Sequence, residues 1–209
     1  MKYFSTLPKI IYNNPITGSP IILTDILARS SIVQSAMKNP LLYYQYEVQQ
    51  GDTPEIIAFK YYGDVSRFWI VLLANQFLDP QWSFPMSTDV FALYINHKYN
   101  QNNDPNNLNP YVDIYSTIQE YNKVITQFDS YTGVSTVNTL VVDQSTYANT
   151  AHNTATYSST TGPVTITTTK NQISIYDYEE KLNESKRTIS IVNSNYVDVV
   201  EAQFKKLMA

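Results

Sequence analysis

YEVQQGDTPEIIAFKYYGDVSRFWIVLLAN, running from Tyr46 to Asn75, is the densest structural signal in the chain. Tyr46 and Val48 alternate with Glu47 and Gln49 and continue the aromatic run Leu41–Tyr44, the pattern of a strand with one buried face. Gly51 predicts a turn, Thr53 or Asp52 offers a side-chain oxygen to the free amides of a helix start, and Pro54 suits the first helical position. Ile57, Ala58, Tyr61 and Tyr62 then fall three and four apart, and Gly63 is placed to close the helix in the left-handed conformation. Asp64 is a cap for a second helix carrying the stripe Phe68, Trp69, Leu72 and Leu73, which Asn75 ends. This stripe places Trp69 in a core; failing that, the ring is a partner contact. A strand and two short helices are too small to be stable alone, so other segments must cover them.

The pattern Tyr46-x-Val48, Gly51-Asp52-Thr53, Ile57-Ala58, Tyr62-Gly63, Leu72 and Asn75 resembles the LysM module, a strand, helix, helix, strand unit that commonly binds cell-wall glycans. Two features depart from it: Pro54 stands where Leu is usual, and the closing strand is reduced to Trp82-Ser83-Phe84-Pro85. The wider set Tyr61-Tyr62-Gly63-Asp64, Phe68-Trp69-x-x-Leu72-Leu73-x-Asn75, Phe84-Pro85-Met86-Ser87 and Phe91-x-x-Tyr94-x-x-x-Lys98-Tyr99 resembles the small wedge proteins of contractile-phage baseplates that contain a LysM-like domain. Thr24-Asp25-Ile26-x-x-Arg29 upstream and Asp177-Tyr178-Glu179-Glu180-x-x-Asn183-Glu184-x-Lys186-Arg187 downstream extend the resemblance, which covers roughly Thr24–Tyr99 and Ile173 to the end. It implies a non-enzymatic virion component made in the host cytoplasm. Six copies would surround a central hub and contact other wedge proteins and the hub or sheath-initiating protein. The alternative implied by the module alone is a peptidoglycan-binding unit, against which stand single occurrence and no attached hydrolase.

Composition narrows the function classes. The chain has 209 residues, a net charge of −4 and scattered Lys and Arg, so no basic footprint for nucleic acid is present. The absence of Cys removes disulfides, thiolate chemistry and sulfur-bound zinc. The longest apolar run, Trp69–Ala74, is far short of a membrane span, and Pro8 and Lys9 interrupt any leader-like start. His97 and His152 share no metal-binding spacing, the five Gly are isolated at turns, and the adjacent pair Glu179–Glu180 occupies different helix faces, so no catalytic, cofactor or metal residue is assigned. Eighteen Tyr, unusual beside 15% charged residues, suit surfaces that meet other proteins.

The remaining chain divides as follows. Residues 1–40, with Pro8, Pro15 and Pro20, read as an extended arm, in which Ile21–Leu23 is a short strand and Thr24-Asp25 cap a brief helical turn bearing Ile26, Leu27 and Arg29. Residues 41–100 are the LysM-like domain, completed by a third helix capped by Ser87, with Phe91, Tyr94, Ile95 and Lys98 on one side. Residues 101–110, rich in Asn, Asp and Pro, read as a linker. Residues 111–209 form a β-rich domain with a C-terminal helix. Tyr111–Phe128 suits either a helix or, from Val124 onward, a hairpin; a short helix followed by a strand is the adopted reading. Val124–Thr169 has no Lys or Arg and reads as antiparallel strands Val134–Val142, Thr154–Ser159 and Val164–Thr169 with exposed loops near Asn149–Asn153. Ile189 and Ile191 mark another strand. A last helix, capped by Asn193 or Ser194, presents Tyr196, Val199, Val200, Phe204 and Leu207. The expected fold class is thus α+β, and the expected partner-interface residues are Arg29, Trp69, Tyr178, Arg187, Tyr196 and Phe204.

Overall fold

A computed structural model describes residues 3–28, 39, 41–77, 79–160 and 162–208. The fold is α+β, with two two-stranded sheets and one four-stranded sheet, all antiparallel, among the described residues. The chain forms two compact units, Met1–Thr88 with Glu184–Ala209, and Asp89–Asn183. This corrects the division into segments 1–40, 41–100, 101–110 and 111–209: the C-terminal residues return to the first unit, and the third helix belongs to the second.

The first unit begins with a 3-10 turn at Tyr3–Thr6 and a hairpin of β1 (Lys9–Asn13) and β2 (Pro20–Thr24), paired from Lys9↔Thr24 to Asn13↔Pro20. The expected arm is therefore a β-hairpin, turned at Asn14, whose carbonyl accepts from Gly18 in the left-handed conformation (φ 67°). Next comes β3 (Tyr43–Glu47), then α1 (Pro54–Tyr62). Thr53 caps α1 by accepting from the Ile56 amide, and Gly63, at φ 67°, closes it by donating to the Phe59 carbonyl. Asp64 caps a 3-10 turn, Val65–Arg67, that runs into α2 (Phe68–Ala74). On α2 the buried side chains are Trp69, Ile70, Val71 and Ala74; the expected stripe residues Phe68, Leu72 and Leu73 are only half-buried.

The closing strand is not at Trp82–Pro85. Those residues follow and complete a short helix, α3 (Pro80–Ser83), capped by Asp79. The partner of β3 is instead β8 (Thr188–Val192), with Tyr43↔Val192 through Glu47↔Thr188 in register. Asn75, the residue that ends α2, ties this distant strand in: its amide donates to the Ser190 carbonyl at 2.8 Å and its oxygen accepts from the Ser190 N–H at 2.7 Å. α7 (Ser194–Met208) then packs Val197, Phe204 and Met208 into the same core as Ile57, Ile70, Val71 and Ile191. Of the expected face, Phe204 is buried and Val200 packs against the core, whereas Tyr196, Val199 and Leu207 are exposed and Val197 and Met208 take their place.

In the second unit, α4 (Thr88–Lys98) buries Phe91 and Ile95, and Asn100, at φ 50°, supplies the left-handed residue after it. Residues 101–110 are not a linker. Their amides work as caps: Asn107 and Asn109 donate to the His97 and Lys98 carbonyls, which lack partners within α4. Tyr111–Phe128 holds no helix. β4 (Ile118–Asp129) is a long central strand, flanked by β5 (Ser135–Val142) and β7 (Gly162–Ser174), with β6 (Asn153–Ser159) on the far edge of β7. Thr hydroxyls face one another across β6 and β7 at Thr154–Thr167 and Thr156–Thr165. Asp143 caps a short helix, α5 (Gln144–Asn149), ahead of the loop expected near Asn149–Asn153. β7 leads directly into α6 (Ile175–Glu184), which buries Ile175, Glu179 and Asn183, so the charged stretch has an inward face.

Candidate interaction surfaces

The six expected interface residues do not form one site. Arg29 lies outside the described residues. Trp69 and Phe204 are each 4% exposed and stack into the first unit's core, their ring centroids 4.7 Å apart, with Tyr3 at 5.5 and 5.3 Å from them. They are core residues, because the largest apolar rings remove the most surface from water when turned inward. Trp69 Nε1 is buried without a hydrogen-bond partner. Tyr178 is half-buried on α6. Arg187 is held locally, by Glu184 at 2.5 Å and by the Val48 carbonyl at 3.2 Å. Tyr196 alone of the set is an exposed aromatic, at 39%.

Polar clusters in each unit are structural clasps. In the first, the Asp52 carboxylate accepts from the Tyr46 hydroxyl at 2.5 Å, Lys60 at 2.6 Å and the Gln49 amide at 3.1 Å. Burial opposes its ionisation, but these donors together hold its pKa below the ordinary carboxylate range. Arg67 joins α7 through Glu201 at 3.0 Å and Asp198 at 2.7 Å. In the second unit, buried Glu179 accepts from Lys98 and Tyr99, both at 2.7 Å, and from Tyr94 at 3.3 Å. Burial works against the Glu179 charge, yet the donated hydrogen bonds outweigh it and lower its pKa, while burial and the same carboxylate push the Tyr99 hydroxyl up to about 12.

No group of three or more His, Cys, Asp or Glu side chains is placed to hold a metal among the described residues. No described helix is long and apolar enough to cross a membrane.

Apolar surface is conspicuous on the first unit. On the β1–β2 hairpin, Ile11 and Ile22 are paired across the strands and are 76% and 74% exposed; Ile16 at the turn is 92% exposed. Ile10, Tyr12, Ile21 and Leu23 occupy the opposite face and are also exposed. The signal was present in KIIYN and PIILT flanking NPITGS, but a hairpin apolar on both faces lacks the alternation that marks a strand. A second apolar feature is a groove of about 450 Å³ lined by Phe4, Phe68, Leu72, Leu73 and Phe77, where the half-buried side of α2 meets the start of the chain. Comparison with protein-family models gave no match to this chain, and comparison with curated proteins gave none.

Proposed function

We propose that this chain is a structural subunit of a contractile phage-tail baseplate, a wedge component joining neighbouring baseplate proteins around the hub, built on a LysM-like unit. One observation carries the reading. The two stretches that bear the resemblance, separated by the Thr-rich segment, are hydrogen-bonded to one another within the units: Val48 to Arg187, Asn75 to Ser190, and Lys98 to Glu179. Residues of both motifs thus meet within each unit, and in the first unit β3, α1, α2 and β8 make a strand, helix, helix, strand arrangement whose last strand arrives from a distant part of the chain. No reaction is proposed. The subunit would sit in the virion baseplate, six copies per particle, with its apolar surface covered by unlike neighbours. This surface supports assembly because exposed apolar patches of such extent mark contacts between proteins.

Purified contractile-tailed particles encoding this chain are expected to contain it, with antibody against it labelling the baseplate end. Absence of the chain from washed tails would refute the reading. Co-sedimentation of the isolated protein with insoluble peptidoglycan would instead favour the glycan-binding alternative.

A further inference from the structure

We propose that the hairpin Lys9–Thr24 is a plug that inserts into an apolar cleft of an unlike protein chain, which covers both of its faces. The inference does not depend on the baseplate reading. An isolated two-stranded hairpin is marginal in water, and natural proteins blunt open strand edges with charges, bulges or cover. Here β1 and β2 form a complete sheet by themselves, so each has an outer edge without a strand partner among the described residues. The only charge between residues 9 and 24 is Lys9, and its ammonium is already engaged by the Thr24 hydroxyl at 2.5 Å.

The amount of surface identifies an interface rather than stray exposure. Seven residues, Ile10, Ile11, Tyr12, Ile16, Ile21, Ile22 and Leu23, are between 41% and 92% exposed. At roughly 200 Å² for a large apolar side chain laid fully open, they present on the order of 800 Å², one partner's share of a standard interface.

Its distribution identifies the occupant. Cross-strand partners share a face, so Ile11 and Ile22 lie on one side, and Ile10 with Leu23 and Tyr12 with Ile21 on the other. A two-fold pairing with a second copy would cover one edge or one face of each hairpin and leave the other in water. A lipid bilayer would leave both strand edges without hydrogen-bond partners. A cleft in a different chain, neutral and apolar on both walls with β-edge groups at its margin, satisfies faces and edges together.

The test places the photo-crosslinking residue p-benzoyl-phenylalanine at Ile11, at Tyr12 or, as a control on exposed α7, at Val199, in the full chain expressed in its native cell. The expected result is that Ile11 and Tyr12 probes both yield an adduct with one and the same second protein, identified by mass spectrometry, whereas Val199 does not. The Tyr12 adduct should fall at least tenfold when combined with Ile22→Asp, in a protein whose melting is unchanged. Adducts of the chain with itself, adducts from one face only, or none from either face would each overturn the plug. A common partner that is not a tail protein would uphold it and refute the baseplate reading.

Discussion

Removing residues 195–209 should unfold the first unit and spare the second. The deletion takes away Val197, Phe204 and Met208, which are 1%, 4% and 7% exposed. Full burial of such side chains contributes about 1.5–3 kcal/mol each, so their loss alone removes roughly 5–9 kcal/mol. Trp69 and Tyr3 lose their stacking partner Phe204 as well, and Arg67 loses both carboxylates. A domain's whole stability is about 5–15 kcal/mol, so little would remain. Hydrogen exchange resolves the outcome by segment. Amides of α1 and α2 are expected to lose protection, while those of β4 and β7 keep it. If α1 and α2 stay protected and incorporation into particles alone is lost, α7 is a docking element and the reasoning is wrong. For the same reason a fragment ending at Asn100, which lacks β8 and α7, is expected not to fold.

Trp69→Ala should cost about 3–5 kcal/mol, because the ring is enclosed between Tyr3 and Phe204, whereas Trp69→Phe should cost far less since the buried Nε1 makes no hydrogen bond; denaturant titration checks the order. Glu179→Gln is expected to destabilise the second unit by about 1.5 kcal/mol, the low end for hydrogen bonds to a charged group, because Lys98 remains partly solvated. Its folded pKa lies below its ordinary value of 4.5, so its stabilisation is present above that pH and is lost as pH falls through the folded value. The wild-type and variant stability curves should therefore converge in acid, and parallel curves from pH 7 to pH 3 would refute the clasp.

Local chemistry was legible in the sequence where its cause was local. Thr53, Pro54, Gly63, Asp64 and Asn75 each mark a helix end through a backbone conformation or a capping bond reaching no more than a few residues. The partner of β3 was not legible, because alternation at Ile189 and Ile191 announces a strand without saying what it pairs with. The resemblance to the LysM module, in which the closing strand follows the second helix, pointed to the nearer segment Trp82–Pro85. Ile114, Ile118, Tyr121 and Ile125 mimicked helical spacing, but β4 lies inside a sheet whose two faces are both partly solvated, so the alternation expected of a one-sided strand is blurred. Asn and Asp at 100–109 read as breakers, although their amides cap α4. Among the candidate interface residues, Trp69 and Phe204 went inward for the property that suggested contact in the first place, a large apolar ring. Of the hairpin, Ile21–Leu23 read as a strand, but β1 and its pairing with β2 did not, because both strands are apolar on both faces.

The insertion of the second unit between the halves of the first has a modest thermodynamic consequence and a larger kinetic one. Val48 and Arg187, which meet through the backbone, are 139 residues apart in sequence. Closing so long a loop is entropically unfavourable, but the dependence on length is only logarithmic. If Lys98 and Glu179 meet first, the open chain between the two halves of the first unit shortens to about 60 residues, which lowers the closure cost by roughly 0.8 kcal/mol. That is small beside the several kcal/mol contributed by α7, so the native state tolerates the distant return. The rate is another matter, since non-local strand pairing is slow and leaves β3 without its partner until β8 arrives. An early clasp at Lys98–Glu179 would shorten that interval, which gives this ion pair between α4 and α6 a role in folding beyond the stability it adds to its own unit.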